Sequence, residues 1–155
     1  MKERQSKKPS KVAVPRGFDI RSMLAALEDG CINESFRPKG VVFRQGDAAN
    51  AVFYIEAGGV QICVVSEQGK EGVIGVLGAG GFLGEGCLAG QPLHMASAIP
   101  RDQSAVIRIP KPTMVRALRE QPAFAEMFMT FLLSRNIQIE AERIFSSTLD
   151  RITIE

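Results

Sequence analysis

Histidine occurs once in this chain, at His94, and cysteine three times, at Cys31, Cys63 and Cys87. One imidazole, with no nucleophile and base at recognisable spacing, makes an enzyme the weakest functional class and leaves no catalytic residue to name. The cysteines are odd in number and widely and unevenly spaced, which fits neither a disulfide framework nor a C-x-x-C metal knuckle. They read as reduced, mostly buried thiols, and no metal site is expected. No apolar run approaches the ~18 to 20 residues of a membrane-spanning helix. The segment Met1 to Ser10 is charged but lacks the apolar stretch of a signal peptide, so a cytoplasmic location without membrane contact is expected.

What is present is enough for one domain: 155 residues, 45% hydrophobic and 23% charged. The net charge of +2 is unevenly spread. Lys2, Arg4, Lys7, Lys8, Lys11 and Arg16 face only Glu3 at the start, leaving 13 basic and 16 acidic residues in 17–155. Residues 1–17 read as a basic, solvated tail, since no aromatic or amphipathic pattern accompanies the charges.

After Pro15 and Gly17, Asp19 is a candidate N-cap for a short amphipathic helix with Ile20, Met23, Leu24 and Leu27 on one face, ended by Asp29-Gly30. The pattern then becomes short β-type runs: Val41 to Phe43, Val52 to Ile55, Val60 to Val65, Val73 to Leu77 and Ala105 to Ile109. Gly46-Asp47, Gly58-Gly59, Gln68-Gly69-Lys70 and Gly78 to Gly81 supply turns between them. With no helical crossovers between the runs, an antiparallel sandwich or barrel is expected.

Helical periodicity returns after Pro110. Pro112 suits the first turn of a short helix carrying Met114, Val115 and Leu118, and Gln121-Pro122 separates it from a longer one over 122–147. Phe124, Met127, Phe128, Phe131 and Leu132 form a broad first face. Thr130, Ser134, Ile137, Ala141, Ile144 and Thr148 continue as a heptad-like seam. A helix of ~25 residues is about 37 Å long, more than a small β-domain covers, so its distal half calls for a partner. Met127, Phe131, Ser134, Ile137, Ala141 and Ile144 are the expected dimer contacts. Residues 148–155 read as a C-terminal tail.

The most unusual stretch is Gly78 to Gly90, where glycines allow a backbone to approach a ligand closely. A short helical turn from Glu85 would aim backbone N–H groups at an anion. The ending of a Walker loop is missing, and no βαβ unit surrounds the glycines. Glu85 is the single carboxylate within it, and a ribose hydroxyl pair is one partner that such a buried acid would accept.

These pieces together resemble the cyclic-nucleotide-binding domain of the Crp/Fnr group of bacterial transcription regulators. The matching residues are Phe43-Arg44-Gln45-Gly46-Asp47, Val52 to Ile55, Gly58-Gly59-Val60, Gly69-Lys70-Glu71, Gly80 to Glu85 with Leu88, and Arg135-Asn136. The resemblance covers roughly Phe36 to Ile144. It implies a mainly β fold with flanking helices: a double-stranded β-helix, or jelly-roll-like β-roll, over 18–121, followed by a long C-terminal helix that pairs two copies.

In nucleotide-binding members, a cassette resembling Phe82, Leu83, Gly84, Glu85, Gly86, Cys87 and Leu88 cradles the cyclic phosphate and ribose, with the glutamate on the 2′-hydroxyl. An arginine further along pairs with the phosphate. Here the stretch reads His94-Met95-Ala96, and His94 stands where that arginine belongs. An imidazole of ordinary pKa near ~6.5 is mostly neutral at cytoplasmic pH and has no bidentate fork. Losing a charge-assisted contact of about 1.5 to 3 kcal/mol weakens phosphate binding roughly ten- to a hundredfold. Met95 also lacks a hydroxyl, as does Ile139 near the positions that face the purine. Weak cyclic AMP binding is therefore expected. His94 either reads another effector or is a core-edge residue with no ligand.

The resemblance implies an effector-sensing and dimerisation module of a Crp/Fnr-type regulator, binding a cyclic nucleotide or another small effector. In those regulators DNA is read by a helix-turn-helix domain beyond the dimer helix. The residues after the seam here are too few to build one, so no direct sequence-specific DNA binding by this chain is expected. The alternative is a dimeric interaction protein that keeps the fold and has lost sensing. Cys87, near a helix start, raises the question of a depressed thiol pKa against a plain buried thiol.

Overall fold

The computed structural model describes Ile20, Ser22, Met23 and residues 30–135. The expected tails over 1–17 and 148–155 lie outside the described residues. Seven strands form two antiparallel sheets. In chain order they are β1 (Ile32–Phe36), β2 (Ala51–Ala57), β3 (Gly59–Val65), β4 (Glu71–Gly78), β5 (Phe82–Leu83), β6 (Ser97–Pro100) and β7 (Ser104–Pro110). One sheet has the order β1-β7-β2-β5 and the other β4-β3-β6. The mainly β architecture with flanking helices is the one expected from the sequence.

Apolar content follows position in the sheet. β2 lies between β7 and β5 and is buried along most of its length, so Val52, Phe53 and Ile55 are all apolar without strict alternation. β1 is an edge strand whose polar Asn33, Glu34 and Ser35 leave it mostly exposed. That polarity hides it from a search for apolar runs. β6 is short, contains Pro100 and opens with Ser97, so it is equally inconspicuous. At Val41 to Phe43, where a strand is expected, there is only an isolated bridge from Phe43 to Ala98.

The passage from β2 to β3 depends on Gly58. Its φ is +96°, and a Cβ there would lie 2.3 Å from Ser104 Oγ and 2.5 Å from the Gln103 carbonyl. Only glycine fits such a crossing, which brings the chain from one sheet into the other.

Between β5 and β6 the chain makes one 3-10 helix, Glu85–Ala89, flanked by Gly84 and Gly90 at φ 77° and 88°. After β7, the short helix Lys111–Glu120 has proline in its first turn and ends at Gln121, as expected. A second helix begins at 122 and is described to 135.

β5 organises the interior although it has only two residues. Successive side chains of a strand point to opposite faces. Phe82 accordingly points towards the helices, with its ring centroid 4.9 Å from Phe128, 5.6 Å from Phe131 and 6.0 Å from Phe124 in edge-on contacts. Ile20, Met23, Met114 and Ala117 complete that cluster. Leu83 points the other way, into a second cluster with Phe43, Phe53, Ile55, Val60 and Val106.

This arrangement places the first residues of the expected dimer interface. Met127 and Phe131 are 6% and 3% exposed, buried in the chain's own core with Phe82. The helical repeat at these positions packs on the β-roll. Ser134 is half-buried, while Ile137, Ala141 and Ile144 lie outside the described residues.

Candidate functional site

A cavity of about 330 Å³ opens beside the 3-10 helix, bounded by residues of β3, β4, the glycine-rich segment, the loop before β6 and the long helix. Of the expected ligand residues, Leu83, Gly84, Glu85, Gly86, Cys87, His94, Met95 and Ala96 line it. Phe82 does not: its ring is fully buried in the helix-facing core, and only its carbonyl belongs to the site. Ile139 lies outside the described residues.

Glu85 is held by Arg135, a residue of the resemblance with no role implied by it. Arg135 Nη2 donates to Glu85 Oε2 at 2.6 Å, and Nη1 donates to the Phe82 carbonyl at 3.3 Å. The guanidinium carbon also lies 5.9 Å from the centre of the Phe131 ring. One side chain of the long helix thus engages the backbone of β5 and the first residue of the 3-10 helix. The second carboxylate oxygen, Glu85 Oε1, is buried with no hydrogen-bond partner among the described residues. An unpaired buried acceptor of this kind is costly, and a ligand donor would satisfy it.

His94 is placed by its backbone. Its N–H donates to the Asp47 carbonyl at 2.8 Å, and its carbonyl accepts from Gly46 N–H at 2.8 Å. These bonds tie the loop before β6 to the Gly46-Asp47 turn. The imidazole lies flat on Phe43, with centroids 3.7 Å apart and planes 9° from parallel. Gly84 makes room for the ring: a Cβ at Gly84 would come within 3.2 Å of His94 Cε1, at a φ of +77°. Burial is the largest influence on His94 and pushes its pKa down, against the upward pull of Asp47 and Glu85. The neutral imidazole is thus favoured, and the site receives no second cation from it.

Cys87 is 1% exposed, and its thiol points to the Ala51 carbonyl at 3.7 Å. Burial, above all, raises its pKa, outweighing the nearby Lys111. A depressed thiol pKa, weighed from its place near a helix start, is therefore not found. None of Cys31, Cys63 and Cys87 forms a disulfide. Among the described residues, no group of three or more histidines, cysteines, aspartates or glutamates could hold a metal ion. No described helix is long and apolar enough to cross a membrane.

The walls of the cavity are apolar. Ile62, Val64 and Leu83 contribute from the strands, and the rim carries Ile74, Leu93 and Met95, which are 51%, 49% and 66% exposed. Glu85 and Arg135 are the charged residues of the lining, and they neutralise one another.

The position of His94 has a pH signature, made clean by its being the one histidine of the chain. Below about pH 6.5 the unfolded chain binds a proton that the folded chain resists, so stability falls as pH drops from about 7.5 to 5.5. His94→Phe keeps a ring on Phe43 but cannot titrate. Urea denaturation across that range should show a shallower loss for the variant, whereas equal pH dependence would contradict the buried neutral imidazole.

The likeness to known proteins agrees with this geometry. Residues 33–121 match the family model described as the cyclic nucleotide-binding domain. No match is found among curated proteins. Among solved structures, the catabolite activator protein of Thermus thermophilus superposes with a TM-score of 0.67 at 21% identity, covering 85% of this chain and 62% of that one. The c-di-GMP-responsive global regulator CLP of Xanthomonas campestris gives 0.62 at 21% identity, covering 84% and 61%. This chain therefore spans less than two thirds of the length of either regulator. The sensor domain of the transcriptional regulator DNR of Pseudomonas aeruginosa gives 0.60 at 24% identity, covering 77% and 78%. The two-sheet fold, the glycine-flanked turn carrying Glu85 and the extent of the family match identify this chain as a member of the cyclic nucleotide-binding domain family.

Proposed function

We propose that this chain is the effector-sensing and dimerisation module of a Crp/Fnr-type transcriptional regulator, with a cyclic nucleotide or another small effector occupying the cavity beside Glu85. The observation that carries this reading is the Glu85–Arg135 pair, which links the cavity to the long helix at 2.6 Å. A ligand donor on the free oxygen of Glu85 competes with or reinforces that pair. It thereby favours one position of the helix over another, as a ligand with different affinities for two states must. The module's part in regulation is ligand sensing and pairing, and cysteines that form no disulfide suit a cytoplasmic setting.

In this reading Leu83, Gly84, Glu85, Gly86, His94, Met95 and Ala96 are the ligand contacts, and Cys87 contributes shape from below. The cation that the family places against a cyclic phosphate is replaced by His94, so restoring it is a direct test. His94→Arg should raise cyclic AMP affinity roughly ten- to a hundredfold, the worth of one charge-assisted contact. Thermal unfolding with millimolar cyclic AMP should then show a concentration-dependent rise that is larger than in the parent protein. Absence of any rise in the arginine variant, with its fold intact, would contradict the assignment of the cavity.

Homodimerisation through the long helix is supported by Met129 and Leu133. They sit one turn apart at 60% and 57% exposure, on a helix whose other face is already buried. Leu133→Asp leaves the described core untouched. Sedimentation velocity should find the parent as a dimer at micromolar concentration and the variant as a monomer. A parent that stays monomeric throughout would remove the dimer from this account.

A further inference from the structure

We infer that the effector is a small, uncharged, largely apolar molecule carrying one hydroxyl or N–H donor, and not a cyclic nucleotide. The inference rests on the reading of the cavity as an effector site and specifies its ligand. Three observations lead to it.

The first is charge. The guanidinium of Arg135 is committed to Glu85 at 2.6 Å and to the Phe82 carbonyl at 3.3 Å, and both partners face it from the β-roll side. An anion entering the site meets a neutral ion pair and an imidazole stacked flat on Phe43. Among the described residues, no uncompensated cation lines the cavity to offset removal of a phosphate from water.

The second is the wall. Ile62, Val64 and Leu83 form the interior, and Ile74, Leu93 and Met95 stand at the rim with about half or more of their surface in water. An apolar ligand body covers these side chains, and its burial supplies the driving force. A cyclic phosphate or a polyhydroxylated sugar would leave them in contact with polar atoms.

The third is the orphan oxygen. Among the described residues Glu85 Oε1 has no hydrogen-bond donor, while its sister oxygen is taken by Arg135. One donor on the ligand completes the carboxylate without disturbing the pair. Among the described side chains of the lining, a second charge on the ligand has no counter-ion.

Matched naphthalene probes separate these features by titration calorimetry of the full chain near pH 7. 2-Naphthol presents a neutral apolar body with one donor, 2-methoxynaphthalene the same body without it, and 2-naphthyl phosphate the same body with an anion. Saturable binding of 2-naphthol is expected, with the methyl ether about tenfold weaker and the phosphate ester weaker than 2-naphthol. In Glu85→Gln the guanidinium is released, so the phosphate ester should gain affinity and the preference for 2-naphthol over its ether should shrink. Ile74→Asp, on the exposed rim, tests the wall without relying on the ion pair and should weaken 2-naphthol severalfold. Tighter binding of 2-naphthyl phosphate or cyclic AMP than of 2-naphthol by the parent protein would overturn the inference and leave the effector site standing. Equal affinity for 2-naphthol and its ether would overturn the role of the donor. If neither cyclic AMP nor any of the three probes binds, the effector site itself is refuted.

Discussion

The contact between Arg135 and Glu85 is the constraint on which the rest of the site depends. The two residues are fifty positions apart, and only the docking of the long helix brings them together. That docking rests in turn on Phe82, whose ring is surrounded by Phe124, Phe128 and Phe131. Phe82 and Glu85 belong to one short passage of chain, so hydrophobic docking and the ion pair hold the same segment from two sides. Apolar burial supplies most of the attraction and the pair supplies direction, because a guanidinium accepts few geometries around a carboxylate. A partly exposed ion pair adds little stability by itself. Its importance lies in the fact that one partner lines the cavity and the other belongs to the helix.

The charges around the cavity underlie the proposal of an uncharged ligand. Replacing a cation by an imidazole removes charge, and packing the imidazole on Phe43 beside Gly84 then keeps it neutral. A histidine at an open rim would titrate close to its ordinary value and could still meet an anion. Here the flat stack and the backbone bonds to Gly46 and Asp47 fix the ring in the wall. The same substitution therefore changes both the charge and the texture of the pocket, and both changes favour apolar surface.

Much of this was legible in the residues. The central strands announced themselves through Val52 to Ile55, Val60 to Val65 and Ala105 to Ile109, because strands flanked on both sides are built from apolar and β-branched side chains. β1 and β6 were not legible, since an edge position lets Asn33, Glu34 and Ser97 stand where the pattern expects apolar residues. Glu85 was visible as a lone carboxylate among glycines, but its partner was not, because no local pattern joins positions so far apart. Met127 and Phe131 show a related limit. A helical apolar repeat records that a face is covered, not whether the covering belongs to the same chain or to a second copy.

The central claim is that the cavity and the long helix are mechanically joined through Glu85. Hydrogen exchange measured by mass spectrometry on the parent protein and on Glu85→Gln tests it without any ligand. The account predicts faster exchange in peptides from 122–135 as well as around the 3-10 helix, with β2 and β7 unchanged. Faster exchange confined to 82–90, with the long helix as protected as before, would contradict it.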